Sequence, residues 1–220
     1  MKRLMLIVLV VAPACARLHS REPLPVPAAD VTTYHVDALG FAPVDNTSPK
    51  QTVYDQLIEV WNGDPAASFV ETQQRLSNGE AHRFTTTAEK ASDVAAAVFR
   101  SEAGARAAFV AMALLPGTPA LSGAASASAF HERVIEVATS HPAFTGGELQ
   151  PLVTDAPADV IAYTRGDVVV LVNTRPRDIN VAVHGRMLHR ARDLIHGWVQ
   201  SGETVMLSAF GTAVLDVRYR

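Results

Sequence analysis

The chain has almost no cysteine, since Cys15 is the only thiol among its 220 residues. A disulfide framework and a zinc site built from paired thiolates are therefore both excluded. Stability must come from a hydrophobic core. A chain of this length with 48% hydrophobic residues is able to form one, either as one medium domain or as two small ones.

An excess of positive charge is also missing. The formal net charge is -3, and no block of like charges stands out along the sequence. Proteins that bind nucleic acid need a concentrated basic face to neutralise phosphates. The composition therefore excludes nucleic acid as a partner.

Long apolar runs are limited to the N-terminus, where Lys2 and Arg3 precede the apolar residues Leu4–Val11. Small residues follow, which predicts a signal peptide over residues 1–16, with cleavage after Ala14 or Ala16. The run is too short to span a bilayer, which takes about 20 residues. We expect an exported protein, periplasmic or extracellular, with lipoprotein anchoring through Cys15 as an alternative.

Helix and strand patterns begin after a Pro-rich and Ala-rich leader, predicted to be flexible, at residues 17–30. A cap at Ser48 and a first-turn proline at Pro49 predict the start of a helix, and apolar residues at spacings of three and four carry it to Gly63, where it ends. Further helices are predicted over Ala66–Leu76, over the buried stretch Glu102–Leu115 and over Phe130–Thr139. Short strands are predicted in residues 31–39, 83–87 and 120–121.

The pattern changes after Pro151, where short runs of β-forming residues alternate with turns. Arg165-Gly166-Asp167 is one predicted turn and Gln200-Ser201-Gly202 is another. This pattern predicts a C-terminal antiparallel β-sandwich over residues 151–220, following an α/β segment over residues 31–150. The boundary is expected between Gly147 and Ala158.

Several ordered motifs resemble the end of the catalytic barrel and the C-terminal β-sandwich of the α-amylase family of glycoside hydrolases. They are Val60-Trp61-Asn62-Gly63, Leu114–Pro119, Ser140–Phe144, Asp159–Asn173 and Arg192–Gly197. The resemblance covers Val31–Arg220 and implies a partial (β/α) barrel before the sandwich. It places barrel strand six at His35–Leu39, strand seven from Arg83-Phe84 and strand eight at the end of Leu114–Leu121.

The resemblance implies that the catalytic machinery is incomplete. A whole barrel takes about 250 residues, and strands four and five, which carry the nucleophile and the general acid in this family, have no counterpart here. The third family carboxylate lies in an Asn-His-Asp motif, where this chain has Thr87-Ala88-Glu89. Glu89 is therefore a weak catalytic candidate. Gly123-Ala124-Ala125 replaces a Gly-Gln-Glu motif that faces the substrate in the family.

No other chemistry is indicated by the sequence. His184, His189 and His196 are five and seven residues apart, unlike the ligand spacing of metal sites. A Gly-x-Ser-x-Gly nucleophile motif and a Gly-rich phosphate loop are both missing, so no metal and no cofactor are predicted. Trp61 lies on the apolar face of its helix and is predicted to be core, whereas Trp198 follows a turn and is a candidate for stacking on a sugar.

These patterns favour a secreted, catalytically incomplete relative of the α-amylases that serves as a non-catalytic remnant or as a module binding carbohydrate or a partner. Its ligand would be an α-glucan, and a protein partner or self-association would cover the open edge of the barrel segment. The alternative is a glycoside hydrolase that acts on α-glucans only when a second chain supplies the missing strands and carboxylates. A translated fragment of a decayed gene is the third interpretation.

Overall fold

A computed structural model of the chain describes residues 32–36, 41–43, 53–77, 82–86, 98–121 and 129–218. The elements of its first half are strands and helices in alternation: β1 (Thr32–Val36), β2 (Phe41–Pro43), α1 (Val53–Asn62), α2 (Ala66–Ser77), β3 (His82–Thr86), α3 (Glu102–Ala113), β4 (Gly117–Leu121), α4 (Ala129–Ser140) and α5 (Pro142–Gly146). The predicted helices and strands of this half are therefore present in the described residues, with ends shifted by up to three residues; the predicted start of the first helix at Ser48-Pro49 lies outside them. The predicted signal peptide, the leader and Glu89 lie outside the described residues.

The first sheet has the strand order β2-β1-β3-β4. β1, β3 and β4 are parallel and adjacent in chain order, while β2 pairs antiparallel with β1. Parallel strands joined through helices in consecutive order form the repeating unit of a (β/α) barrel. The α/β half is therefore a barrel segment.

The second half contains seven strands: β5 (Leu149–Pro151), β6 (Val160–Arg165), β7 (Val168–Asn173), β8 (Ile179–Ala182), β9 (Arg192–Asp193), β10 (Thr204–Leu207) and β11 (Thr212–Asp216). Five of them form an antiparallel sheet in the order β5-β6-β7-β11-β9, and β10 pairs with β8. The two sheets pack face to face as a β-sandwich. Arg165, which the sequence predicts to lie in a turn, is instead the buried last residue of β6.

The five-stranded sheet is buried on both faces. On one face, Ile161, Tyr163 and Val170 pack against α1 to α4, and on the other Ala162 and Leu171 pack against β8 and β10. Because side chains alternate along a strand, two apolar cores are formed from one set of strands. The barrel segment and the sandwich thus share a core rather than touching at a polar surface.

Polar contacts reinforce this shared core. The hydroxyl of Tyr163 donates to the Ala111 carbonyl of α3 at 3.1 Å. Arg175 Nη1 donates to the Val60 carbonyl at 3.0 Å, and the amide of Ala67 at the start of α2 donates to Pro157 O at 3.0 Å. The last bond satisfies a helix N-terminal amide that has no partner within its own helix. No helix in the described part of the chain is both long and apolar enough to cross a membrane.

Candidate functional site

A cleft of about 890 Å³ lies between the helices and the sandwich. Its walls come from the first turns of α3 and α4, the turn after β9, and the segment joining β10 to β11. The side chains that give it chemical character are Glu102, Arg106, Phe130, His196, Trp198 and Met206. The cleft therefore combines an aromatic surface with hydrogen-bond donors and acceptors.

The cleft lies on the side of the barrel segment where parallel strands end. Only residues 114–116 separate the last turn of α3 from β4, so the first turn of α3 lies toward the carboxyl end of β4. α4 follows β4 in the chain and packs on it. In barrels of this kind the functional loops are at the carboxyl ends of the strands.

The α3 wall is fixed by a cap and an ion pair. Ser101 caps the helix by accepting a hydrogen bond from the Gly104 amide at 2.9 Å. Arg106 pairs with Glu102 one turn earlier, and its guanidinium carbon lies 5.8 Å from the centre of the Phe130 ring. Both charged side chains are about half exposed, so they are available to a ligand.

The opposite wall is a turn over residues 193–198 that is organised by Asp193, whose exposed fraction is 0%. Its Oδ1 accepts from the amides of Ile195 and His196, and its Oδ2 accepts from the Val214 amide at 2.8 Å. Gly197, with φ of 80°, adopts the left-handed conformation that the turn needs. The turn closes when the amide of Asp193 donates to Trp198 O at 2.8 Å.

Two side chains of this turn face the cleft. Trp198 is half-buried, since it packs against the core between the two sheets while lining the cleft. The His196 Nδ1 is 3.1 Å from Asp193 Oδ1, and this hydrogen bond raises the pKa of the imidazole above its usual 6.5. The His196 ring lies 6.3 Å from Phe130, measured between ring centres.

A second contact ties the turn to α4. Arg133 donates from Nε and Nη2 to the Leu194 carbonyl at 3.0 and 2.8 Å. Behind the cleft, His131 of α4 is fully buried between Phe109 and Phe130. Burial and then the nearby charge of Arg106 lower the pKa of His131 to about 4. His131 is therefore neutral at pH 7.

The structure places the residues that the sequence singled out in different surroundings. Trp198 lies in the cleft, whereas Trp61 is 0% exposed and packs edge-on against Phe99 at 5.3 Å. His184 and His189 do not line the cleft. In the ranges that the structure describes, no group of three or more His, Cys, Asp or Glu side chains is arranged to hold a metal ion.

The sequence reasoning missed Arg106 and Phe130, which line the cleft, and Asp193, which is buried beneath its turn. Arg106 and Phe130 carry no local signal, because each lies on an ordinary helix some 70 to 90 residues before Trp198. Asp193 did carry one. An Asp followed by a Gly a few residues later is typical of a turn in which the carboxylate accepts backbone amides.

Solved structures provide the comparison, since no protein-family model matches the chain and no curated protein matches it significantly. An α-amylase from Anoxybacillus is similar with a TM-score of 0.56 and 9% identity, over 74% of this chain and 45% of that one. A maltogenic α-amylase from Thermotoga neapolitana gives 0.54 and 12%, over 74% and 48%. A cyclomaltodextrinase gives 0.50 and 17%, over 74% and 36%.

The chain thus spans less than half the length of each of these structures. At such low identities the likeness concerns the fold. It agrees with the resemblance that the sequence motifs indicated, and it extends over both the barrel segment and the sandwich. The chain has the fold of part of an α-amylase-type glycoside hydrolase, a partial barrel followed by a β-sandwich.

Proposed function

We propose that this chain binds α-glucan oligosaccharides in the cleft beside Trp198 and does not itself cleave them. The observation that carries the proposal is the position of Trp198 in one cleft with Arg106, Glu102 and His196. A pyranose ring has apolar faces and a rim of hydroxyl groups. An aromatic surface bordered by a few directed polar groups matches both.

The choice of α-glucans rests on the neighbours in fold. They include a maltogenic α-amylase and a cyclomaltodextrinase, whose names denote action on α-linked glucose polymers or rings. Because fold alone does not determine function, the ligand class is the part of the proposal that most needs a direct measurement.

Binding without cleavage is favoured by the carboxylates of the cleft. Glycoside hydrolysis takes a pair of carboxyl groups, about 5 to 10 Å apart, on either side of the scissile bond. Among the cleft residues that the structure describes, Glu102 is the only one with a carboxylate, and it is paired with Arg106. Asp193 lies beneath the surface of the turn, and the Thr87-Ala88-Glu89 segment departs from the family motif.

The experiment is titration calorimetry of the purified protein with maltoheptaose. We expect Trp198→Ala to weaken binding at least about tenfold, equivalent to ~1.4 kcal/mol, because the stacking surface is lost. Val199→Ala is the matched control, since Val199 is the next residue, is 58% exposed and does not line the cleft. Equal affinities for Trp198→Ala and the wild type would exclude this cleft as the sugar site.

The alternative function is an enzyme whose remaining barrel strands and catalytic carboxylates come from a second chain. The parallel, consecutive order of β1, β3 and β4 favours it, because this is the geometry of a barrel to which strands can be added. Glu89 would then contribute a carboxylate. Hydrolysis of an α-glucan by the purified chain, alone or with such a partner, and its loss in Glu89→Gln would establish this function over the first.

We also propose that the protein is exported and that the edge of the barrel segment associates with a partner or with a second copy. Support for export comes from the apolar run Leu4–Val11 after two basic residues. The intact mass of the mature protein tests it, since cleavage after Ala14 or Ala16 and lipidation of Cys15 give different masses. Sedimentation of the purified chain tests self-association, which a monomer at all concentrations would exclude.

A further inference from the structure

We propose that Asp193 is a positioning residue of the cleft: it holds the His196 imidazole so that only Nε2 meets the sugar, and binding therefore strengthens when His196 is protonated. This inference rests on the proposed binding function and adds to it a specific contact and a dependence on pH. It assigns the recognition role to the turn over residues 193–198.

The geometry of the turn determines which ring nitrogen carries the proton. Asp193 Oδ1 lies 3.1 Å from His196 Nδ1, and the same carboxylate accepts three backbone amides, from Ile195, His196 and Val214. An ionised carboxylate only accepts hydrogen bonds. Nδ1 must therefore carry a hydrogen whether the ring is neutral or charged, and Nε2 is the nitrogen that changes.

That change alters what the cleft offers to a hydroxyl group. With the ring neutral, Nε2 accepts a hydrogen bond, and with the ring protonated it donates one that carries positive charge. Hydrogen bonds from charged donors are stronger than neutral ones by about 1 kcal/mol. We therefore expect about a fivefold gain in affinity on protonation.

The pH at which the gain occurs follows from the surroundings of His196. The hydrogen bond to Asp193 raises the pKa of the imidazole above 6.5, so the gain develops as pH falls through a value above 6.5. On α3 the facing charged groups are Glu102 and Arg106, which pair with each other. Arginine side chains stay charged in proteins.

The other elements packed around His196 add no competing change near neutral pH. On α4, Arg133 pairs with Glu136, and the pKa of His131 is about 4. On its own turn the charged neighbours are Arg192 and Asp193, and the segment 204–212 has no ionisable side chain. Among the cleft residues that the structure describes, His196 is thus the group whose charge changes near neutral pH.

The first measurement is made on the free protein by NMR, using long-range couplings between ring nitrogens and ring hydrogens of ¹⁵N-labelled histidine. We expect neutral His196 to be the form with hydrogen on Nδ1, and we expect Asp193→Asn to change this preference or lower the pKa of His196. A neutral ring with hydrogen on Nε2 in the wild type would overturn the inference. This readout needs no sugar, and a merely structural Asp193 would not determine it.

The second measurement is maltoheptaose affinity at pH 5.5, 6.5 and 8.0. We expect about a fivefold increase toward acid in the wild type and none in His196→Gln. His189→Gln is the matched control, because His189 is exposed and does not line the cleft, and its Nδ1 also has a hydrogen-bond partner, the Ser201 carbonyl at 3.0 Å. His189→Gln should keep the full pH dependence.

The outcomes separate this inference from the function beneath it. Binding that is lost in Trp198→Ala supports the proposed function. If the wild-type affinity is then independent of pH, or decreases as pH is lowered, the inference is overturned and the proposed function remains. If the protein does not bind maltoheptaose at any pH, the proposed function is overturned, and the acid-strengthened binding with it. If Asp193→Asn fails to fold, two measurements still test the inference. They are the position of the hydrogen on the neutral His196 ring in the wild type and the comparison of His196→Gln with His189→Gln.

Discussion

The two faces of the five-stranded sheet differ in the chemistry of what they bury. The face toward β8 and β10 packs aliphatic residues such as Leu171, Val181 and Leu207. The face toward the helices buries aromatic residues together with Tyr163 and, at its edge, Arg165. Directed hydrogen bonds occur on both sides, for example from Asn173 to Ser208 O at 2.8 Å within the sandwich. At the seam, the shared core between the five-stranded sheet and the helices, they come from Tyr163 and Arg165 and join residues of the sheet to the helices.

This difference bears on the cleft, which lies on the seam. Apolar packing tolerates small shifts, but a network of hydrogen bonds from buried groups fixes the position of each element. Trp198 belongs to the sandwich, and Arg106 and Phe130 belong to the helices. Their spacing is therefore set by the polar contacts across the seam, and weakening these contacts should disturb binding as well as stability.

The largest effect is expected from Arg165→Met. Arg165 is 3% exposed and donates to the carbonyls of Gly147, Leu114 and Phe144 at 2.8, 3.1 and 2.8 Å. Methionine would relieve the burial of a charge but leave three carbonyls without a donor. Because each costs about 1 to 3 kcal/mol, we expect a loss of about 4 kcal/mol in the free energy of unfolding, measured by urea denaturation.

Two further variants test whether the loss of unfolding free energy in Arg165→Met comes from its hydrogen bonds. Arg165→Lys keeps the charge but not the planar set of donors, so it should fall between the wild type and Arg165→Met. Arg177→Met is the control, because Arg177 is mostly exposed and pairs with Asp159 at the surface, where such pairs contribute at most about 1 kcal/mol. A stability of Arg165→Met within 1 kcal/mol of the wild type would show that burial alone holds the seam.

The next effect is a loss of stability in mild acid that is confined to the helical side. The pKa of His131 is about 4 in the folded chain and 6.5 in the unfolded one. Below pH 6.5 the unfolded chain takes up the proton first, so stability falls from pH 6.5 to pH 4 by about 3 kcal/mol at most and is unaffected above. We expect His131→Phe to remove this slope in urea denaturation at pH 7, 5.5 and 4.

Other groups act in different ranges of pH. The guanidinium groups beside Asp159 and Asp216 hold the pKa of each carboxyl below 3.8. The two carboxylates therefore stabilise the folded chain above pH 3.8, and this stabilisation is lost only as pH falls below that value. The raised pKa of His196 has the opposite effect on stability, since the stabilisation that it provides is lost as pH rises above 6.5. An unchanged slope between pH 6.5 and 4 in His131→Phe would mean that the acid sensitivity lies elsewhere.

The same comparison shows how far the sequence could predict the molecule. Local patterns were sufficient for elements with a clear period or a clear stop, such as α1 before Gly63 and the strand β10, whose residues alternate between exposed and buried. The unbroken apolar run Val168–Val172 was predicted only as one short strand among several; its burial on both faces was not predicted, although a strand without alternation is typical of such burial. The motifs in register then predicted the arrangement of the parts, a barrel segment before a sandwich.

The contacts across the seam were beyond reach because they join residues far apart in sequence. Arg165 stands before Gly166-Asp167 and has the sequence pattern of a turn residue, yet its partners at Leu114 and Phe144 draw it into the core. Trp198 could be predicted as an exposed aromatic from its turn. Its neighbours in the cleft could not, because only tertiary packing brings α3 and α4 beside it.

The smallest predicted effect is also the most local, since it compares two adjacent glycines at the end of α5. A Cβ on Gly147 would lie 2.2 Å from Ala143 O and 2.8 Å from Gly166 N, both backbone atoms, whereas one on Gly146 would meet nothing within 4 Å. We expect Gly147→Ala to cost about 2 kcal/mol in the free energy of unfolding, because both the last turn of α5 and the turn between β6 and β7 must shift. Gly146→Ala should be neutral or slightly stabilising, as alanine is favoured over glycine in a helix. Equal stabilities by urea denaturation would mean that α5 can shift without cost. The close backbone contact, and with it the anchoring of Arg165 on Gly147, would then not be what holds the seam together.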